Sequence, residues 1–383
     1  MERVLMKIEG EPKSPTLVFF VGIHGNEKAG LKAFTQIKDE LEQLSFNGSL
    51  YVFSGNMRAL EKDVRFIDKD LNRIWTSKLI EELQEQHPPI AEASDLFDLL
   101  GHIEIIVATR KGPIYFIDFH TTSSRTLPFI TINDALINRK FSRQFPAPVI
   151  LGIEEYLEGP LLSYINQLGY VSLGFESGQH EELEAIENAK AFMYLSFCFS
   201  GILKKEEIPS LDKHYEHLRN ASKENIKFFE VIDRYLIKNT ETFVMEEGFG
   251  SFQKIAKGTL LAHSNSIPIF ANKRATLFMP LYQAQGEEGF FLIRRIPDFF
   301  LKLSTFLRNR ELDRLLTWLP GVRWDSPKRE ALQVNLKVAR FLARPIFHLL
   351  GYRQRIQDTD HIKIFNRERT ARKDLYMEEK WFS

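Results

Sequence analysis

Cysteine is almost absent: one residue, Cys198, stands among 383. It cannot close an internal disulfide, so the disulfide frameworks that staple small secreted domains are excluded. Long apolar runs are missing too, since no stretch approaches the ~20 residues that cross a bilayer as a helix. The opening M-E-R-V-L-M-K-I-E-G lacks the basic-then-apolar pattern of a signal peptide. These absences predict a reducing, cytoplasmic setting and no membrane role. There is no internal repeat, no low-complexity tract and no recognisable nucleic-acid-binding motif. Net charge is also zero, with 51 basic and 51 acidic side chains. Their distribution is uneven, because residues 301–383 hold 18 basic against 10 acidic, and the first 300 hold 33 against 41. Phe299, Phe300, Leu303, Phe306, Leu315, Leu316 and Trp318 are interleaved with the basic residues. Such a pattern favours docking on the acidic remainder, or a subunit contact in a homo-oligomer, over nucleic acid.

What is present is a chain long enough for two or three units, with 44% hydrophobic residues to build their cores. Residues 5–203 alternate strand-like and helix-like segments, which predicts an α/β layer with a mainly parallel sheet. A polar linker, K-K-E-E-I-P-S, covers residues 204–210. Shorter strand-like runs with Gly and Asn punctuation fill residues 226–296, and the pattern turns helical from Pro297. The expected organisation is therefore 1–205, a β-rich unit at 206–296, and a helical basic extension at 297–383.

Three strand-like runs in the first unit each deliver an ionisable group. Residues 17–23 are apolar and β-prone; Gly22, Gly25 and Asn26 then break the run. Glu27 opens a helical spacing of Leu31, Phe34, Ile37, Leu41 and Leu44. His24 and Glu27 thus share the turn between a strand and a helix. A second run, 114–119, ends in His120, and Asp118 shares a strand face with that histidine and is placed to orient it. The third, Y-V-S-L-G-F-E from Tyr170, ends in Glu176, with Gly178 and a helical stretch over 181–199 beyond it. Two His and one Glu are the ligand set of a catalytic zinc whose fourth position stays open to water. A further carboxylate beside that water is the usual general base. Taken singly, a surface loop explains His24 with Glu27, and a satisfied loop histidine explains His120. Their joint occurrence at strand ends, where open α/β sheets gather ligands, favours a metal site.

Between the first two runs lies N-M-R-A-L-E-K-D-V-R-F-I-D-K-D-L-N-R-I-W, from Asn56. Arg58, Arg65, Asn72 and Arg73 suit carboxylate recognition or oxyanion stabilisation. A solvated basic loop is the better reading for Lys62 and Lys69, and the segment alone leaves both readings open.

G-I-H-G-N-E, N-x-R-A with R-F-I-D-x-D-L-N-R, D-F-H-T-T-S and F-E-S-G, in this order and spacing, resemble the succinylglutamate desuccinylase/aspartoacylase family of zinc carboxypeptidase-like hydrolases. The strongest motifs span about residues 16–180. The resemblance implies a zinc-carboxypeptidase-like mixed sheet flanked by helices, with a smaller β-rich domain and the C-terminal extension added. It implies one Zn2+ per chain on His24, Glu27 and His120, and Glu176 as general base. It further implies that Arg65 polarises the scissile carbonyl and that Asn72 and Arg73 hold a substrate carboxylate. Asn56 of the N-x-R-A block joins the substrate-binding set, and Tyr282 is the tyrosine that the β-rich domain would lend. The implied substrate is a small N-acyl amino acid, cleaved at a linear amide. A carboxypeptidase-like metallopeptidase and a non-catalytic metal-binding regulator are the alternatives.

One absence bears on the substrate. Where aspartoacylases grip the second carboxylate of acyl-aspartate with a further arginine, residues 162–170 read L-S-Y-I-N-Q-L-G-Y. The amino acid recognised is therefore expected to differ from aspartate. Arg125, Arg139 and Arg143 lie just upstream, where a solvated loop is the simpler reading.

Overall fold

The computed structural model describes residues 2–86, 90–238, 240–310, 312–325, 331–335, 347–357 and 361–382. Its main element is an eleven-stranded sheet in the order β1-β3-β2-β4-β7-β5-β6-β8-β14-β13-β10. The strands of the first unit are β1 (Val4–Ile8), β2 (Thr16–Val21), β3 (Ser49–Ser54), β4 (Ile114–Thr122), β5 (Phe129–Ile132), β6 (Val149–Leu151) and β7 (Val171–Gln179). Those of the second are β8 (Phe228–Leu236), β9 (Phe243–Met245), β10 (Lys254–Ile255), β11 (Leu260–Ser264), β12 (Ile267–Phe270), β13 (Ala275–Phe278) and β14 (Glu288–Arg295). The centre, β3-β2-β4-β7, is parallel, while β1 and β5 join it antiparallel.

Why the central runs read as continuously apolar is clear from their two faces. Phe19, Val21, Ile117 and Phe119 point into one core with Phe34 and Ile37 of α1 (Ala29–Leu41) and Phe192. Their alternating neighbours Val18, Phe20 and Phe116 point into the opposite core. That second core is covered by Trp75, by Leu83 of α3 (Ser77–Gln86) and by Leu96, Leu99 and Ile103 of α4 (Ala91–Thr109); the short α2 (Met57–Lys62) precedes these helices. A strand covered on both faces needs apolar residues at every position. On the flanks lie α5 (Leu136–Ser142), α6 (Leu161–Leu168), α7 (Leu183–Phe199) and α8 (Leu211–Ala221).

The strand-rich segment does not build a sheet wholly its own. β8 pairs parallel with β6, and β14, β13 and β10 continue the main sheet antiparallel. Only β9, β11 and β12 form a separate three-stranded sheet. The unpaired edge of β6 explains this, since an open edge in the first unit offers β8 its backbone partners.

After Pro297 the expected helix is α9 (Asp298–Asn309), but helices do not fill the extension. Four strands, β15 (Val322–Trp324), β16 (Ala331–Asn335), β17 (Tyr352–Gln357) and β18 (His361–Asn366), pair antiparallel in the order β15-β16-β18-β17. At three to six residues each, these strands are too short for a period-2 signal to stand out. The extension packs on the body, but not through the interleaved apolar residues that suggested it, since Phe299, Phe300, Phe306, Leu315 and Trp318 are exposed; the contacts come from its far end. Tyr376 donates to Ile114 O at 2.5 Å and accepts from Val171 N at 3.0 Å, and Trp381 packs edge-on against Tyr115 and Phe141. No helix among the described residues is long and apolar enough to cross a membrane.

Candidate metal centre and active site

The turn after β2 carries His24 and Glu27 to the carboxyl ends of the parallel strands. Gly22 bends the chain at φ 77°, and Gly25 passes so close to α2 that an added Cβ would lie 2.1 Å from the Ala59 carbonyl carbon. Only glycine fits there. β4 and β7 run in parallel register with His120 opposite Glu176, and each strand continues for two or three residues beyond. The turn and the two strands bring the four groups together.

Glu27 sits between the two histidines. Its Oε2 lies 2.9 Å from His120 Nδ1 and accepts from Thr121 N at 3.1 Å, while its Oε1 lies 2.8 Å from His24 Nδ1. All three residues are buried, and one donor atom from each falls within 4.8 Å of the others. The far nitrogens are occupied: His24 Nε2 by Asp70 Oδ1 at 2.9 Å, and His120 Nε2 by Asp118 Oδ2 at 2.6 Å. Carboxylates on the outer nitrogens fix ring orientation and leave both Nδ1 atoms facing inward. Despite its 2.8 Å approach to Glu27, buried His24 Nδ1 makes no hydrogen bond among the described residues. Two lone-pair-bearing atoms held side by side, with no proton directed between them, suit a shared cation, and the donor set is one that suits zinc.

Electrostatics follow from the same contacts. Burial pushes the Glu27 carboxyl up, but His24 and His120 outweigh it and hold it well below the usual range. Burial pulls the His120 ring down, yet Asp118 and Glu27 hold it well above the ordinary histidine value. Arg65 donates to Glu27 Oε1 at 3.0 Å and, through Nε and Nη2, to Asp70 Oδ2 at 3.3 and 3.1 Å. Opposite this cluster burial pushes Glu176 up to about 8, against the pull of His120 and Arg65. Its Oε2 is buried and unpartnered among the described residues. A cation beside it would draw its proton affinity down.

A cavity of about 120 Å³ opens onto this cluster. His24, Glu27, His120, Glu176, Arg65, Asn72 and Arg73 all line it, so seven of the nine residues singled out in the sequence share one space.

Residues 13–192 match the model of the succinylglutamate desuccinylase/aspartoacylase catalytic domain. This segment belongs to that family. A succinylglutamate desuccinylase of Photorhabdus laumondii is 31% identical over 81 residues, covering 21% of this chain and 25% of that protein. An N-acyl-aromatic-L-amino acid amidohydrolase (carboxylate-forming) of Xenopus laevis is 31% identical over 121 residues, 30% of this chain and 36% of its own length. The matched stretches thus span well under half of those curated relatives. Among solved structures, a succinylglutamate desuccinylase/aspartoacylase from Rhodobacter sphaeroides superposes with a TM-score of 0.55 at 14% identity, covering 76% of this chain and 88% of that one. A succinylglutamate desuccinylase from Vibrio cholerae gives 0.53 at 15% identity, covering 76% and 85%. At such identities these structures speak for the fold.

Two residues that the family resemblance placed at the substrate sit elsewhere. Asn56 is buried as the N-cap of α2, accepting from Ala59 N at 3.0 Å and donating to Glu92 Oε1 at 3.1 Å. Glu92 in turn accepts from the backbone of Ile67, Asp68 and Lys69, so Asn56 supports the loop between Arg65 and Arg73 from behind. Tyr282 lies outside the cavity lining. Its hydroxyl donates to Glu246 O at 2.6 Å and accepts from Phe249 N at 3.1 Å, because the turn carrying it directs Leu281 and Gln283, not the tyrosine, to the cavity.

Other residues enter unannounced. Asp70 lay inside the quoted D-L-N-R block and could have been read as a partner for His24 from its acidity alone. Glu288, which accepts from Arg73 Nη2 at 3.2 Å, comes from β14, beyond the family segment. Gln283 accepts from Asn26 Nδ2 at 3.0 Å and lies 3.1 Å from His180 Nε2, tying the far segment to the β2 turn. No local pattern marks such long-range partners.

Proposed function

We propose that this chain is a zinc-dependent hydrolase that cleaves the amide of an N-acyl amino acid. The observation that carries the reading is Glu27 lying between two inward-facing histidine Nδ1 atoms, with the Glu176 carboxyl in the same cavity. His24, Glu27 and His120 would hold the ion. When bound, it would bring the pKa of a coordinated water to about 7 and polarise the scissile carbonyl.

The remaining roles belong to the chain's own side chains. Glu176, with a free buried oxygen, receives the proton of the attacking water and returns it to the departing amine, so no covalent intermediate is needed. The Arg65 guanidinium, held on two sides by Glu27 and Asp70, lines the cavity and faces the developing oxyanion. One such donor is worth on the order of 3 kcal/mol in the transition state. Arg73 receives the carboxylate of the amino-acid part; Asn72, whose Oδ1 accepts from Leu161 N at 2.9 Å, fixes the wall beside it. Met279, Pro280, Leu281, Gln283 and Glu288 close the cavity from the far side, which favours a small substrate over a polypeptide. Zinc-loaded protein screened against N-acetyl, N-formyl and N-succinyl amino acids tests the reading. Hydrolysis of some of them is expected; peptide cleavage alone, or no turnover with zinc bound, would overturn it.

A further inference from the structure

The wall beyond Glu176 narrows the substrate class, an inference that rests on the hydrolase reading above. In the sheet order β4-β7-β5-β6, β5 and β6 lie successively farther from the metal ligands. The ends of these strands and the start of α6 supply Ile132, Ile153, Leu157 and Leu162, with Phe291 of β14 opposite. In the middle of this apolar wall is Glu154, which follows β6 and lines the same cavity.

Glu154 is 8% exposed. Its Oε1 accepts from Asp134 N at 3.1 Å, but its Oε2 is buried with no hydrogen-bond partner among the described residues, and no cation pairs with it there. A buried carboxylate oxygen without a donor is costly, and such a group in a binding cavity calls for one from a ligand. No arginine balances an acidic substrate side chain on this wall. Leu162 stands at the start of the segment that lacks one, and Arg139 is turned away onto Asp134 and Ser304. Arg143 lies over the Phe228 ring, and neither it nor Arg125 lines the cavity.

We propose that Glu154 receives the terminal ammonium of a basic side chain, so that the substrates are Nα-acyl amino acids of the ornithine and lysine type. Two strand spacings, roughly 10 Å, separate β7 from β6, and because β5 and β6 run antiparallel to β7 the end of β6 is level with Leu173 and not with Glu176, which lengthens the reach. Such a reach calls for a long side chain, whose apolar stem runs along Ile153, Leu157, Leu162 and Phe291 and whose terminal ammonium meets the Glu154 carboxylate. An acidic side chain would meet Glu154 with like charge, and a short one would leave it unpaired.

The test compares kcat/KM of the zinc-loaded full chain for Nα-acetylornithine, Nα-acetyllysine, N-acetylnorleucine and N-acetylaspartate, in wild type and Glu154→Gln. Gln retains an oxygen for Asp134 N, so the loop stays capped. The wild type should prefer the amine-bearing substrates over norleucine by about tenfold or more, and the ratio should fall to near one in the variant. A parallel arm uses thermal unfolding with the free amino acids. Ornithine should raise the wild-type midpoint and norleucine should not, with the difference lost in the variant. A wild-type preference for the aspartate or norleucine derivative, or a ratio unmoved by Glu154→Gln, overturns the assignment while leaving the hydrolase reading intact. If the wild type hydrolyses none of the four and other acyl amino acids fail as well, the hydrolase reading falls. Glu154-dependent protection by ornithine would in that case still hold for the binding site.

Discussion

His120 and Glu176 are register partners on adjacent parallel strands, β4 and β7. On the function proposed above, the pairing would set a metal-ligating group and a proton acceptor side by side at the height of the sheet where α/β folds collect ligands. Separate strands anchor them, so one can be altered without unfolding the other. Glu176→Gln keeps the shape of the side chain and removes its basicity. Zinc content measured by elemental analysis should stay near one per chain, while kcat falls by about 10²–10⁴. Turnover unchanged in that variant would remove Glu176 from the base role.

Substituting Asp118 tests the metal reading while leaving the three proposed ligands in place. The side chain is fully buried, and its Oδ2 lies 2.6 Å from His120 Nε2, fixing which ring nitrogen faces Glu27. Asp118→Asn should weaken zinc binding by about 10–100-fold, read by competition against a chromogenic chelator. Asp70→Asn, acting on His24 in the same way, should do likewise. If both variants hold zinc as the wild type does, the two histidines do not ligate through the nitrogens that face Glu27.

What the sequence disclosed was local. β2, β4 and β7 announce themselves because a strand buried on both faces must be apolar throughout, and each brings its functional residue at a fixed offset. Arg65 to Arg73 was legible as a block for the same reason. Glu288, Gln283 and Glu154 were not, because what makes them matter is a partner or a cavity assembled from distant strands. The extension departs in part from the helical expectation, since β15, β16, β17 and β18 are only three to six residues long and too short for a period-2 pattern to stand out from the basic tail around them. Asn56 and Tyr282 show the limit of carrying roles across by motif: Asn56 spends its polar atoms on Ala59 N and the Glu92 carboxylate, and Tyr282 on the backbone of Glu246 and Phe249.

His214 on α8 gives the fold an acid-sensitive contact far from the metal site. Its ring stacks on Tyr194 of α7 at 4.3 Å and 16°. Burial lowers its pKa, and Lys190 and His217 add to the effect against the opposing pull of Glu40 and Glu187. The unfolded chain therefore binds this proton more readily than the folded one. Stability should fall as pH drops below the unfolded value of about 6.5, towards the lower folded value, with no contribution to the slope above it. His214→Phe preserves the stacking area and removes the titration. Urea midpoints at pH 5.5 and 7.5 should differ less in the variant than in the wild type, and an equal difference would show that the contact does not titrate as described.

Arg308 ties the C-terminal extension to the cavity wall. Its side chain is completely buried on α9; Nη2 pairs with Asp134 Oδ2 at 3.0 Å, and Nη1 donates to Asp134 O at 2.9 Å and to Glu368 Oε1 at 3.2 Å. Asp134 in turn donates its backbone N–H to Glu154, and Glu368 accepts from Leu136 N at 2.8 Å. A residue far outside the family segment thus holds the loop that carries the backbone donor to Glu154. Arg308→Met fills similar space but removes the cation shared by two buried carboxylates; Asp134 keeps Arg139 and Glu368 keeps Lys373, so the loss should fall below the ~3–5 kcal/mol of a buried charge left unpaired. The thermal midpoint should drop by several degrees. Zinc affinity should change little, because His24, Glu27 and His120 belong to other elements, whereas KM for the preferred substrate should rise as Glu154 loses its fixed position. A variant as stable as the wild type would mean that the Asp134–Arg308–Glu368 cluster contributes nothing to docking the extension.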